Sequence, residues 1–286
     1  MIRGKRNGYG SQQEFTPFMP LVLFIVLCIL LAGVCILKEF RKGTPLAPPQ
    51  TIEPSTGKHP PGKTGKFKVA LVIDDVGWSR EIAKEIEAIN RPLTLSLLPR
   101  APYSKAVLSE LKDNSNLEFM LHLPLEPEPP AQCFDKGLIS TGMSDEEIIR
   151  QFREDIKDFY PQVKGLNNHM GSLFTSDEKR MRLLLSEIKA RNMFFVDSMT
   201  TKSSMGYELA KEMGIKTARR NIFIDNEQDP AYIEKQVREL IQTARKDGTA
   251  IGIGHARKNT ISVLKKTLPE MENEGIEIVP VTDLLQ

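Results

Sequence analysis

The sequence predicts an α/β domain built on a parallel sheet, closed as a barrel or open and doubly wound, behind one N-terminal transmembrane helix. Three observations carry this expectation. Apolar runs of strand length alternate with amphipathic helical patterns from residue 67 to the end of the 286-residue chain. Residues 18–37, FMPLVLFIVLCILLAGVCIL, contain no charge. Between these two regions, residues 38–66 are rich in proline, glycine and small polar side chains, with little to bury.

Residues 1–17 form a short tail before the span. At 1.5 Å per residue, a run of about 20 apolar residues crosses a bilayer's hydrocarbon core. A cleaved signal peptide fits less well, because the apolar core is longer than about 7–15 residues and no Ala-x-Ala site follows it. Val34 before Cys35 is also too large for lipoprotein-type processing. Arg3, Lys5 and Arg6 precede the span and Lys38, Arg41 and Lys42 follow it, so the positive-inside rule scarcely discriminates. A short tail and a long following domain give the arrangement of a signal anchor. The expected location is therefore the cell membrane, single-pass, with the domain periplasmic or extracellular and the lipid bilayer met through residues 18–37. Two of the three cysteines, Cys28 and Cys35, sit in the span, so no disulfide can form within the domain, where Cys133 stands alone. A net charge of +2, with both signs interspersed, gives no nucleic-acid surface.

The domain, residues 67–286, opens with the strand FKVALVI (67–73). Further strands are expected at 93–98, 117–123, 163–168, 193–197, 249–254 and 276–280, with a weaker eighth at 221–225. Ser144 with Glu147, and Thr175 with Glu178, fit the S/T-x-x-E capping box. Asp229 before Pro230 fits an N-cap followed by proline at the first helical position. Helix 145–158 carries Ile148, Ile149, Phe152, Ile156 and Phe159 on one face, and helix 231–246 carries Ile233, Val237, Leu240 and Ile241.

In either sheet geometry, chemistry gathers beyond the carboxyl ends of the strands. Three of the four histidines, His122, His169 and His255, fall at or just after such ends, in FMLHLPLEP, GLNNHMGS and IGIGHAR. Asp74 and Asp75 close the first strand, and Asp197 with Ser198 closes MFFVDS. Any one histidine reads most simply as a structural side chain with a satisfied hydrogen bond. Jointly they resemble a site for zinc or another first-row divalent ion, which takes imidazole and carboxylate ligands from several loops and keeps positions open. A cation also accounts for two adjacent carboxylates at the end of a buried strand: one coordinates it and the other acts as a base.

VIDDVG, LHLPLEP, GLNNHMGS, FFVDS and IGIGHAR, in that order, resemble the divergent branch of the polysaccharide deacetylase (carbohydrate esterase) family, from residue 67 to the C-terminus. The resemblance implies an irregular seven-stranded (β/α) barrel and metal-assisted removal of N- or O-acetyl groups from a carbohydrate polymer or oligosaccharide. It makes Asp74 the general base, Asp75 a metal ligand, His255 the acid that protonates the leaving group, and Asp197 the carboxylate that orients His255. Ordinary members place both metal histidines a few residues apart in one segment. Here Glu126 occupies the fourth position after His122, and His169 is the candidate second imidazole. The arginine that positions the base in ordinary members is missing from GLNNHMGS, where Asn167 or Asn168 stands nearby. These departures keep open a catalytically reduced barrel that binds glycan or an envelope partner.

Other features have plainer readings. Trp78 is expected to pack over the barrel rim rather than stack on a sugar. Ser172 and Ser198 lack a G-x-S-x-G elbow. Cys133 needs a nearby histidine to be a nucleophile. The run ARRNIFIDNEQDP from Ala218 reads as a solvated rim, with a substrate-carboxylate clamp at Arg219 and Arg220 as the lesser option.

Overall fold

The computed structural model describes residues 67–128 and 137–286. The expected tail, transmembrane helix and linker, and Cys133, lie outside the described residues. Among the described residues, no helix is long and apolar enough to cross a membrane.

The chain runs β1 (Phe67–Val76), α1 (Arg80–Glu87), β2 (Leu93–Leu97), α2 (Ser104–Leu111), β3 (Leu117–Leu125), α3 (Asp145–Ile156) and β4 (Gly165–Met170). It continues through α4 (Glu178–Ala190), β5 (Phe194–Asp197), α5 (Gly206–Glu212), β6 (Thr217–Arg219), β7 (Ile222–Phe223), α6 (Pro230–Asp247), β8 (Thr249–His255), α7 (Lys258–Asn273) and β9 (Ile276–Val279). All ladders are parallel, in the order β6-β5-β4-β3-β2-β1-β8-β7. β8 takes one edge of β1, while β9 and β2 share the other, β9 along Phe67–Ala70 and β2 along Val72–Val76. The sheet curls into an incompletely closed barrel whose end strands, β6 and β7, are consecutive in sequence yet not paired with each other.

Among the described residues the sheet has nine strands rather than the expected seven. The weak eighth candidate is real but shortened to Ile222–Phe223, and β6 was not anticipated. Strands of two or three residues are too short to show a period.

Because successive side chains on a strand point to opposite faces, each strand serves two apolar layers. On β1, Val69, Leu71 and Ile73 pack with the helices, against a core that includes Ile86, Leu240 and Leu264. Ala70 and Val72 face the barrel interior with Met120, Phe194, Val196, Ile251 and Ile253. Strands buried on both faces read as continuous apolar runs, as parallel strands do.

Helix starts follow local chemistry. Ser144 accepts from Glu147 N while Glu147 accepts from Ser144 N, a complete capping box. Asp229 caps α6 by accepting from Tyr232 N, with Pro230 following. The Thr175–Glu178 box does not form. Thr175 lies in a short 3₁₀ turn and donates its hydroxyl proton to Gly171 O, and Asp177 caps α4 by accepting from Arg180 N. Ser144→Ala and Asp177→Ala should each lower stability by about 1 kcal/mol in urea unfolding; an unchanged midpoint for Asp177→Ala would contradict this cap assignment.

Candidate functional site

The polar end of the barrel follows from the same alternation. Ala70, Val72 and Asp74 share the inner face of β1, as do Met120 and His122 on β3, and Ile251, Ile253 and His255 on β8. Leu166 on β4 belongs to the helix layer, which turns Asn167 and His169 inward. The apolar interior thus ends in a polar layer at the carboxyl ends of the strands.

Strict alternation would send Asp75 outward. Instead its backbone is left-handed (φ 60°), and the β1–β2 register shifts between Ile73 and Val76. A non-glycine residue in this region signals a local constraint. The irregularity lets both adjacent carboxylates reach one site. Asp75 Oδ1 lies 3.4 Å from His122 Nε2 and 3.3 Å from His169 Nδ1. The two imidazole nitrogens are 3.0 Å apart, and the three groups offer ligand atoms all within 4.8 Å of one another. Asp75 Oδ1 is buried and, among the described residues, has no hydrogen-bond partner. A buried carboxylate oxygen in this state, beside two converging imidazole nitrogens, fits a divalent cation.

Asp74, itself buried, accepts from Asn167 Nδ2 at 2.9 Å, and its other oxygen lies 3.6 Å from His122 Nε2. Burial pushes its carboxyl above the ordinary value, against the charges of His122 and His255 and the Asn167 hydrogen bond. Burial would also raise Asp75, but contacts with His122 and His169 outweigh it and hold this carboxyl well below the usual range. Burial would lower His122, yet Asp74 and Asp75 raise it to about 9.

On the other side of Asp74, paired with it in the β1–β8 ladder, stands His255. Its Nδ1 is 2.8 Å from Asp225 Oδ1. Asp225 Oδ2 accepts from His255 N and the Thr260 hydroxyl. Burial would lower the imidazole's pKa, but Asp225, then Asp74 and Asp75, hold it above the ordinary value.

Residues 71–285 match the profile of the divergent polysaccharide deacetylase family. The chain belongs to that family. Among curated relatives it is 35% identical over 217 residues to an uncharacterized protein of Haemophilus influenzae, covering 76% of each chain. It is 31% identical over 218 residues to the uncharacterized protein YibQ of Escherichia coli, covering 76% of this chain and 67% of that one. A crystal structure of an uncharacterized protein from Agrobacterium tumefaciens shares the fold with a TM-score of 0.72 at 22% identity, over 78% of this chain and 92% of that one. A putative cellobiose-phosphate cleavage protein from Enterococcus faecalis gives 0.55 at 13% identity, over 78% and 100%.

Within this deacetylase-family barrel, Asp74, Asp75, His122, His169 and His255 come together as expected from the sequence. Asp197 does not join them. On β5, Phe194 and Val196 face inward, so Asp197 points with Phe195 toward the helices. There it accepts from Met199 N, Tyr207 N and the Ser204 hydroxyl, organising the entry to α5. The carboxylate on His255 is Asp225, which is 0% exposed and not part of the solvated rim expected for ARRNIFIDNEQDP. Its signal was the same one: an aspartate closing a strand candidate, NIFID.

Arg220, from the same supposed rim, is also drawn in. It donates to Ser198 O and Met199 O and stacks 3.6 Å above the Phe223 ring, which in turn lies parallel to His255. Burial pushes its guanidinium down to about 10, against the charges of Asp197 and Asp74. Trp78 is 59% exposed and not packed on the rim. It follows a turn at Gly77 (φ 127°), where a Cβ would collide with the Ser104 hydroxyl. The Ser198 hydroxyl accepts from Asn167, and that of Ser172 from Glu128 N.

The Asp225–His255 pair sets a pH window. His255, raised in the folded state, contributes stability that is fully present below about pH 6.5 and lost as pH rises through its folded value. Asp225 is depressed, because its bonds to His255 and Thr260 outweigh burial. Its contribution is present above about pH 3.9 and lost as pH falls through its folded value. Asp225→Asn should therefore cost about 1.5–3 kcal/mol between about pH 4 and 6.5 and less at pH 9. Urea unfolding at pH 5 and 9 checks this; an equal loss at both would contradict an ionised pair.

Proposed function

We propose that this protein is a membrane-anchored, metal-dependent hydrolase that removes acetyl groups from a glycan of the cell envelope. The observation that carries the proposal is the convergence of Asp75, His122 and His169, flanked by Asp74 on one side and the Asp225-backed His255 on the other. Family membership supplies the acetylated carbohydrate as substrate class. The apolar run 18–37 and the linker 38–66 support an anchored domain held off the bilayer.

Asp75 Oδ1, His122 Nε2 and His169 Nδ1 would hold the cation, for which zinc suits the two-imidazole, one-carboxylate set. When bound, it supplies Lewis-acid chemistry, polarising a carbonyl oxygen and making water a nucleophile near neutral pH. Asp74 is the base. Its Oδ1 is held by Asn167, which leaves Oδ2 to accept the proton lost by the attacking water. Burial raises its pKa, improving it as an acceptor. His255 is the acid: Asp225 holds Nδ1, so Nε2 carries the proton for the departing amine or alkoxide. The neighbouring carboxylates keep that imidazole protonated above its ordinary range.

The purified protein should bind one divalent ion and release acetate from acetylated glycan oligomers. Asp75→Ala or His169→Ala should abolish binding by metal analysis, and stoichiometric metal in both variants would rule out the ligand set. Asp74→Asn should keep the ion while losing about 10²–10⁴-fold in acetate release. Metal bound by the wild-type protein with no release from a broad panel of acetylated glycans and esters would favour a glycan-binding barrel instead. Removing residues 1–42 should free the protein from membranes on fractionation; continued sedimentation with them would contradict the anchor.

A further inference from the structure

Asn167 is 0% exposed, and its amide uses its full hydrogen-bonding capacity. Oδ1 faces His122 Nδ1 at 2.8 Å and accepts from the Ser96 hydroxyl at 2.6 Å. Nδ2 donates to Asp74 Oδ1 at 2.9 Å and to Ser198 Oγ at 3.1 Å. The amide nitrogen donates to Asp74, so the amide oxygen is the atom that faces His122. His122 Nδ1 must then carry a proton. The lone pair of a neutral His122 is thereby placed on Nε2, the atom that faces Asp75 Oδ1 and His169 Nδ1.

We infer that Asn167 is a positioning residue that couples the two halves of the proposed chemistry: one buried amide, donating to Asp74 Oδ1 and accepting from His122 Nδ1, fixes the base and turns His122 Nε2 toward the cation site. The inference rests on the cation-site reading above. Asparagine suits the task because it joins a donor to an acceptor in one plane at fixed spacing. A glutamine would need an extra methylene in a fully buried position, and an aspartate lacks the donor. Hydrogen-bond partners of metal-bound histidines fix ring orientation and tautomer, and their loss typically weakens binding 10- to 100-fold.

Two substitutions separate the halves. Asn167→Ala removes both bonds, whereas Asn167→Asp keeps an acceptor for His122 Nδ1 and removes the donor to Asp74. Zinc affinity of the full-length protein is read by competition with a chromogenic chelator, with circular dichroism reporting folding. Acetate release is measured separately. Asn167→Ala should weaken zinc binding by about 10- to 100-fold. Asn167→Asp should stay close to wild-type affinity while losing acetate release. Wild-type affinity in a folded Asn167→Ala, or a comparable loss of affinity in both folded variants, would overturn the inference; if alanine unfolds the domain, the aspartate variant alone decides by keeping or losing zinc. A wild-type protein that binds no zinc would instead defeat the proposed function itself.

Discussion

Asp75 Oδ1, His122 Nε2 and His169 Nδ1 aim electron-rich atoms at one another across little more than 3 Å. Such a grouping is stable only when a proton or a cation is shared among its members, and taking the carboxylate out of water sharpens that demand. The structure around it is arranged to impose the contact. β3 and β4 are adjacent parallel strands, and β2 alone separates β1 from β3. The left-handed backbone at Asp75 turns a side chain that alternation would hide among the helices toward its two partners.

The barrel interior converts this local demand into a graded environment. Below the site it is filled by Ala70, Val72, Met120, Ile251 and Ile253. Above them, Asp74 and His122 are nearly fully buried, while Asp75, His169 and His255 keep roughly a fifth of their side chains exposed. The group assigned as base is thus the one most deprived of water, and the group assigned as acid sits where a leaving group can depart. Asp225 holds His255 and is itself held by the Thr260 hydroxyl from α7. The acid is therefore supported by a carboxylate that a helix anchors, and the base by Asn167 from β4.

Much of this was legible in the sequence because parallel sheets deliver function to one end. An apolar run stopping at Asp74–Asp75, and three histidines at strand ends, mark the site in the sequence itself. What sequence could not supply was side-chain parity. In MFFVD both Phe194 and Phe195 are apolar because both faces are buried, so nothing in the pattern tells which way Asp197 points. The partner of His255 lies just after β7, a strand too short to show a period, and the adjacency of β7 to β8 is a fact of topology. Arg220 was misplaced for the same reason: in a mixed-charge run, burial depends on which strand closes over it. At α4, Thr175 and Asp177 lie close enough that either fits a helix start, and the intervening 3₁₀ turn decides for Asp177.

The central claim is spatial, and anomalous diffraction tests it most directly. Crystals of the protein grown with zinc and measured across the zinc absorption edge should show a single strong anomalous peak enclosed by Asp75, His122 and His169, with His122 contacting it through Nε2 and His169 through Nδ1. An anomalous map with no peak among these three side chains, or with the ion held by other residues, would contradict the account.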